Sequence, residues 1–182
     1  MKKYVLCLFV IIMVIMCAGA HADSGVGGSV LTWTLQDGVL TISGEGAMDN
    51  YDSNNLPPWE GKKTKIQSLV INPGATRIGS YAFSGCTNLN TIDLPVGIET
   101  IGAYAFSNCP LTNGVNLPNG LISIGEYAFE SCGFSSFEMP DTVTELGFQV
   151  FGRVFGNSSY KLSKGLKTIP GHTRMGFLVQ WV

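Results

Sequence analysis

A pattern of about two dozen residues, written four times between Ile78 and Thr168, constrains this chain more than any other feature. It reads IGSYAFSGC from Ile78, IGAYAFSNC from Ile101, IGEYAFESC from Ile124 and LGFQVFGRV from Leu146, with starts 23, 23 and 22 residues apart. The match continues past each block. Apolar residues recur at Ile92, Val115, Phe137 and Tyr160, again at Leu94, Leu117, Met139 and Leu162, and again at Ile98, Leu121, Val143 and Leu166. The third repeat drops one loop residue between Cys132 and Phe137 and then regains register. A fixed period of this length means stacked units, none of which can bury its apolar side alone.

Within one unit, Leu89, Ile92 and Leu94 bracket a short strand. Ile92 and Leu94 are two apart and point inward, so Thr91 and Asp93 face out. Pro95 has no N–H to donate and ends the strand, and Gly97 allows the turn that follows. Ile78, Ala82 and Phe83 have the spacing of a helical face, which predicts a helical return of one or two turns. Stacking sets Phe83, Phe106, Phe129 and Phe151 one above another. It also joins the strands into a parallel sheet, in which five strands at ~4.8 Å spacing give a curved surface roughly 20 Å long.

The repeat is incomplete before Lys65. Residues 1–22 have the form of an export signal: Lys2 and Lys3, an apolar run from Val5 to Ala18, and the small-x-small site Ala20-His21-Ala22. That run is shorter than the ~20 residues needed to span a bilayer, so cleavage near Ala22 is expected rather than a retained anchor. A lipoprotein reading through Cys17 is weakened by the large Met16 before it. Residues 23–64 are expected to form an N-terminal cap. There LTWTL (Leu31 to Leu35) and VLTIS (Val39 to Ser43) alternate on either side of Asp37-Gly38, a strong hairpin signal. Pro57-Pro58-Trp59 closes a polar loop, and a terminal unit of this kind covers the first repeat's exposed end. Gly44-Glu45-Gly46 lacks the third glycine and the following helix of a phosphate-binding loop. The repeats then occupy 65–168, with Ile66, Leu69 and Ile71 falling 23 residues before Leu89, Ile92 and Leu94. The end, 169–182, abandons the pattern and gathers Phe177, Leu178, Val179, Trp181 and Val182. Either it folds back as a lid or it is the remnant of a longer array, and the abrupt loss of pattern favours the second. An uncovered last unit would favour self-association through the C-terminal end.

The string Cys86-Thr-Asn-Leu-Asn-Thr-Ile-Asp-Leu-Pro95, followed by I-G-x-x-A-F, resembles the BspA-like class of leucine-rich repeats. The LTWTLQDGVLTISGEGAM segment and the later Pro-Pro-Trp look like the N-terminal part of secreted bacterial members. Repeat four departs from the pattern, with Val154 in place of Cys and Gln149-Val150 in place of Tyr-Ala. The resemblance implies an α/β repeat solenoid. Its form would be a leucine-rich-repeat-like right-handed coil with a parallel β-sheet on one face, short helical returns on the other, and an N-terminal β-hairpin cap. It further implies a secreted or cell-surface, extracellular module used for adhesion, with a protein or glycan ligand on host matrix or another cell surface.

Composition narrows the remaining classes. The chain is 45% apolar and 13% charged, as an ordered domain should be. Removing Lys2 and Lys3 from the 11 Lys and Arg leaves nine against 13 acids, a balance opposed to nucleic-acid binding. No membrane association is expected once the signal is cleaved. Beyond the signal, Cys86, Cys109 and Cys132 share one offset, which predicts an inward ladder of free thiols rather than a disulfide with one spare. A line of equivalent positions cannot converge tetrahedrally on a metal. Tyr81, Tyr104 and Tyr127 form a second ladder, read as packing on itself rather than as a stacking platform for sugars or bases. Asp93 and Glu138, two units and roughly 10 Å apart, approach the spacing of an inverting glycosidase pair. An open sheet, however, offers no burial to raise one pKa. After signal cleavage His172 is the only histidine, and no G-x-S-x-G or H-E-x-x-H occurs. Asn157-Ser158-Ser159 matches a glycosylation sequon, meaningful in a eukaryotic source alone. The chain is therefore read as a non-enzyme with no cofactor, whose candidate ligand-binding strand face carries Thr91, Asp93, Asn116, Ser136, Glu138 and Lys161. The alternative is a structural spacer or a non-binding remnant.

Overall fold

The computed structural model describes residues 23–27, 30–134, 136–153, 159–167 and 179–180. The expected export signal at 1–22, the sequon at Asn157 and most of the 169–182 end lie outside the described residues. The chain begins with β1 (Asp23–Val26), β2 (Leu31–Gln36), β3 (Val39–Gly44) and β4 (Gly46–Ala47), followed by a 3-10 helix (Glu60–Lys65). It continues with β5 (Ser68–Ile71), β6 (Ala75–Ile78), β7 (Thr91–Asp93), β8 (Thr100–Ile101) and β9 (Ser123–Ile124). The last strands are β10 (Ser136–Glu138), β11 (Glu145–Leu146), β12 (Ser159–Lys161) and β13 (Val179–Gln180).

β2 and β3 pair antiparallel from Leu31↔Gly44 to Gln36↔Val39. The two residues between them, Asp37 and Gly38, have φ of 50° and 81°. Positive φ at both central positions is what a twisted two-residue hairpin requires. β3 then pairs in parallel with β5, Leu40 beside Leu69 and Ile42 beside Ile71, so the hairpin is hydrogen-bonded directly to the repeat array. Its inward side chains Leu31, Trp33, Leu35, Leu40 and Ile42 are buried in the same core as the repeats.

The helical returns expected at the I-G-x-x-A-F blocks do not form; each block is a two- to four-residue strand followed by a turn. Tyr81, Tyr104, Tyr127 and Gln149 sit at φ of 57°, 55°, 53° and 46°. Four positions further on, Gly85, Asn108, Ser131 and Arg153 sit at 75°, 59°, 57° and 56°. Two left-handed residues per unit break any right-handed helix, and the amide protons go elsewhere. The amides of Tyr81, Phe83 and Gly85 donate to the carbonyls of Ala103, Ala105 and Ser107 in the next unit, at 2.9, 2.9 and 2.8 Å. Tyr104, Phe106 and Asn108 donate likewise to Glu126, Ala128 and Glu130, and Tyr127, Phe129 and Ser131 to Phe148, Val150 and Gly152. The strands before these turns form a parallel sheet of their own, in the order β11-β9-β8-β6-β4.

The glycine that opens every block is dictated by this close stacking. A Cβ on Gly102 would lie 2.5 Å from the Ser80 amide nitrogen, and one on Gly125 would lie 2.5 Å from that of Ala103. Backbone stands where a side chain would start.

Inside the turns runs a column of rings. Phe83, Phe106 and Phe129 stack at 5.4 Å with planes 16° and 9° apart, and Phe151 follows at 6.3 Å. Trp59 heads the column, 5.4 Å above Phe83 and tilted by 10°. Its indole Nε1 donates to the Ala82 carbonyl at 2.8 Å, so a buried polar tip is satisfied where the apolar stack ends. Trp59 was read from sequence as closing a loop; it is the first member of the core column. Cys86, Cys109 and Cys132 are buried free thiols in a parallel ladder. The Cys109 and Cys132 thiols donate to the Phe83 and Phe106 carbonyls at 3.1 and 3.3 Å.

Candidate functional site

The outward strand face is less regular than the period predicts. β7 pairs in parallel with β5, Thr91 beside Ser68 and Asp93 beside Val70. β10 pairs in parallel with β12, Ser136 beside Ser159 and Glu138 beside Lys161, and β13 pairs with β12 beyond it. On this face, among the described residues, no strand forms between β7 and β10, and one isolated bridge, Asn116 beside Glu138, remains of the ladder. The expected run of five parallel strands is thus split. One sheet has the order β1-β2-β3-β5-β7 and the other β10-β12-β13.

The cause lies in the second unit, where Pro110-Leu111-Thr112-Asn113-Gly114 replaces Thr87-Asn88-Leu89-Asn90-Thr91. Leu111 and Gly114 adopt φ of 43° and 80°. The Gly114 amide folds back to the Leu111 carbonyl at 2.9 Å, which closes a turn where the strand should run. Side chains partly replace the lost ladder. Thr112 Oγ1 donates to Asn90 Oδ1 and Asn113 Nδ2 to Thr91 Oγ1, each at 3.1 Å.

All six sequence-derived face residues are exposed: Thr91, Asp93, Asn116, Ser136, Glu138 and Lys161. Asn116, Glu138 and Lys161 form one row across adjacent units. Thr91 and Asp93 stand on the other sheet, across the interruption. Lys161 Nζ is hydrogen-bonded to Glu138 Oε1, and that contact, with the Glu138 charge, raises the Lys161 pKa. Both side chains are open to solvent, so the pair orients two charges and contributes little to stability. At the interruption the surface dips into a recess of about 190 Å³ lined by Val115, Asn116, Leu117, Asn119, Glu138 and Pro140. Two of the six predicted face residues, Asn116 and Glu138, therefore line a concavity that regular repetition would not have produced. Its signal in the sequence was the Pro110 and Gly114 pair.

The tyrosine ladder is the other side-chain array at the surface. Tyr81 and Tyr104 stack at 4.7 Å and 9°, and Tyr104 and Tyr127 at 4.8 Å and 18°. Phe148 meets Tyr127 edge-on at 5.6 Å. Partial burial is the main cause that pushes the Tyr104 phenol pKa up, followed by the flanking tyrosines and then Glu126 and Glu130. Among the described residues no cluster of three His, Cys, Asp or Glu could hold a metal ion. Likewise, no helix among them is long and apolar enough to cross a membrane.

Residues 61–115 and 99–173 match the BspA type leucine rich repeat region in six copies. No curated protein matches the chain. Among solved structures, the fold is similar to a leucine-rich repeat protein from Eubacterium ventriosum, with a TM-score of 0.72 and 29% identity. That match covers 80% of this chain and 39% of the other, so the chain spans about two fifths of that protein's length. The T. pallidum leucine rich repeat protein aligns with a TM-score of 0.55 and 26% identity over 73% of this chain and 69% of the other. A leucine-rich repeat protein from Bacteroides ovatus shares the fold alone, with a TM-score of 0.55 and 20% identity over 84% and 48% of the two chains. The period, the parallel ladders of equivalent residues and the profile match agree: the chain belongs to the BspA-type leucine-rich repeat family.

Proposed function

We propose that this chain is a secreted or cell-surface binding module that holds a protein, or a glycan, against its strand face at the sheet interruption. The observation that carries the reading is the recess at Asn116 and Glu138. It is a concavity lined by polar and apolar groups, set on a buried apolar core, and both residues lie in the exposed row that continues to Lys161. Ligand sites are characteristically concave with a few fixed polar groups, and conformational order in the scaffold lowers the cost of binding. Residues 1–22 serve as the export signal in this reading, and 23–64 cover the first unit. The array at 65–168 winds as a right-handed solenoid, 169–182 follows it as a distinct end segment, and adhesion is the biological use.

The test replaces Asp93, Asn116 and Glu138 together with alanine. Binding of the mature chain to immobilised extracellular-matrix proteins and to intact bacterial cells is then compared with that of the parent. A loss of at least about tenfold, equivalent to ~1.4 kcal/mol, with an unchanged melting temperature supports the face. Undiminished binding by the triple variant removes it.

A further inference from the structure

The tyrosine ladder ends at Tyr81, a partly exposed ring. Tyr104 is covered on both sides, by Tyr81 and by Tyr127. Tyr81 meets Tyr104 on one side and, among the described residues, makes no other ring contact. It is 39% exposed. Tyr81 helps to line a recess of about 170 Å³, together with Tyr51, Leu56 and Pro57. Leu56 is 55% exposed, an apolar side chain lining the same recess as the ring.

The rest of the lining is polar and mixed in character: Asp52, Ser53, Glu60, Lys63 and Ser84. Asp52 Oδ1 accepts the amides of Asn54 and Asn55 at 2.7 and 2.8 Å, which fixes the loop. Lys63 pairs with Glu60 at 2.5 Å. Donors and acceptors therefore share the lining with apolar groups. Tyr81 itself sits at φ 57° and is backed by a stacked ring.

We propose that this recess is a subsite for one pyranose ring, stacked on the outer face of Tyr81 as the next member of the ladder. The electron-rich face of an aromatic ring attracts the slightly positive C–H groups on one face of a sugar. The equatorial hydroxyls then meet the polar lining, donating to carboxylate and accepting from ammonium and serine groups. An aromatic side chain from a protein would fill the recess equally well, but it would strip water from Asp52 and Lys63 without replacing the lost hydrogen bonds. The polar lining therefore selects the polyol. The subsite lies on the turn side of the units, apart from the strand face, and does not depend on that face binding anything.

Saturation-transfer NMR on the folded chain tests this with methyl glycosides of glucose, galactose, mannose and N-acetylglucosamine, and with p-cresol as the aromatic control. Each is used at ~10 mM, above the about 1 mM dissociation constant of a weak single-ring site. Transfer to the ring C–H protons of at least one glycoside is expected, retained in Tyr81→Phe and reduced at least about fivefold in Tyr81→Asn. Asn tolerates the left-handed backbone, so that variant removes the ring without adding strain. Leu56→Asp, on an exposed loop side chain, gives the same loss without touching the ladder, and the Asp93, Asn116 and Glu138 triple variant leaves transfer intact. Transfer to none of the glycosides, transfer to p-cresol alone, or transfer unchanged in both Tyr81→Asn and Leu56→Asp overturns the proposal.

Discussion

On the turn side, the amides of Tyr81, Phe83 and Gly85 each donate to the next unit, and the same three bonds recur from Tyr104 and again from Tyr127. On the strand face, the parallel pairing that joins Ser68 to Thr91 stops at β7 and restarts at β10. One chain thus carries two ladders from the same period, one continuous and one cut. The turn ladder lies over the Trp59-to-Phe151 column, where a gap would open the core. The strand face borders solvent, where Thr112 and Asn113 can bridge a gap with side chains. Stability is therefore expected to be concentrated on the first side, which leaves the second free to depart from the repeat and form a recess.

The largest effect is expected in the ring column. Phe106 is fully buried between Phe83 and Phe129, and Phe106→Ala should cost ~3–5 kcal/mol in urea unfolding. A loss below ~1 kcal/mol would remove the column from the core. Next is Gly102→Ala, which drives a Cβ into the Ser80 backbone and should cost ~1–3 kcal/mol. Gly114→Ala at the interruption should cost only about 1 kcal/mol, because nothing lies near the new Cβ and the penalty is φ 80° alone. If Gly114→Ala cost more than Gly102→Ala, the contrast between the two sides would be reversed. The smallest effect is Lys161→Ala, which should leave the melting temperature unchanged, since its partner Glu138 is also open to solvent.

The thiol ladder sharpens the same contrast through pH. Burial pushes Cys132 from its ordinary 9.0 up to about 12, and Cys109 also lies well above the usual value. In the unfolded chain these thiols ionise near their ordinary value, whereas in the folded chain they hold their protons. Their contribution to stability is therefore complete below about pH 9 and is lost as pH rises towards about 12. Cys132→Ala should flatten that alkaline decline in urea titrations. An unchanged slope would mean that the thiol is reached by water.

The sequence made the stacking legible because period is insensitive to local detail: Phe83, Phe106, Phe129 and Phe151 could be aligned without knowing what lay between them. The hairpin at Asp37-Gly38 was equally readable, since few dipeptides accept two positive φ values. The returns were misread because Ile78, Ala82 and Phe83 share a helical spacing that a turn can also produce. Side-chain spacing does not reveal that Tyr81 is left-handed. The glycine recurring at 79, 102, 125 and 147 was the available clue, as a helix has no need of it. The place of Trp59 in the ring column is hidden in the sequence because it stands 24 residues before Phe83, one off the period. The recess at Asn116 arises from a local failure of the repeat, and averaging over repeats conceals local failures.

Amide hydrogen exchange, read residue by residue by NMR, tests the central claim most directly. Amides at Tyr81, Phe83, Tyr104, Phe106, Tyr127 and Phe129 should exchange only through global unfolding, while those at Thr112 and Asn113 exchange orders of magnitude faster. Equal protection at the two sets, or faster exchange along the turn ladder than at the interruption, would contradict the account.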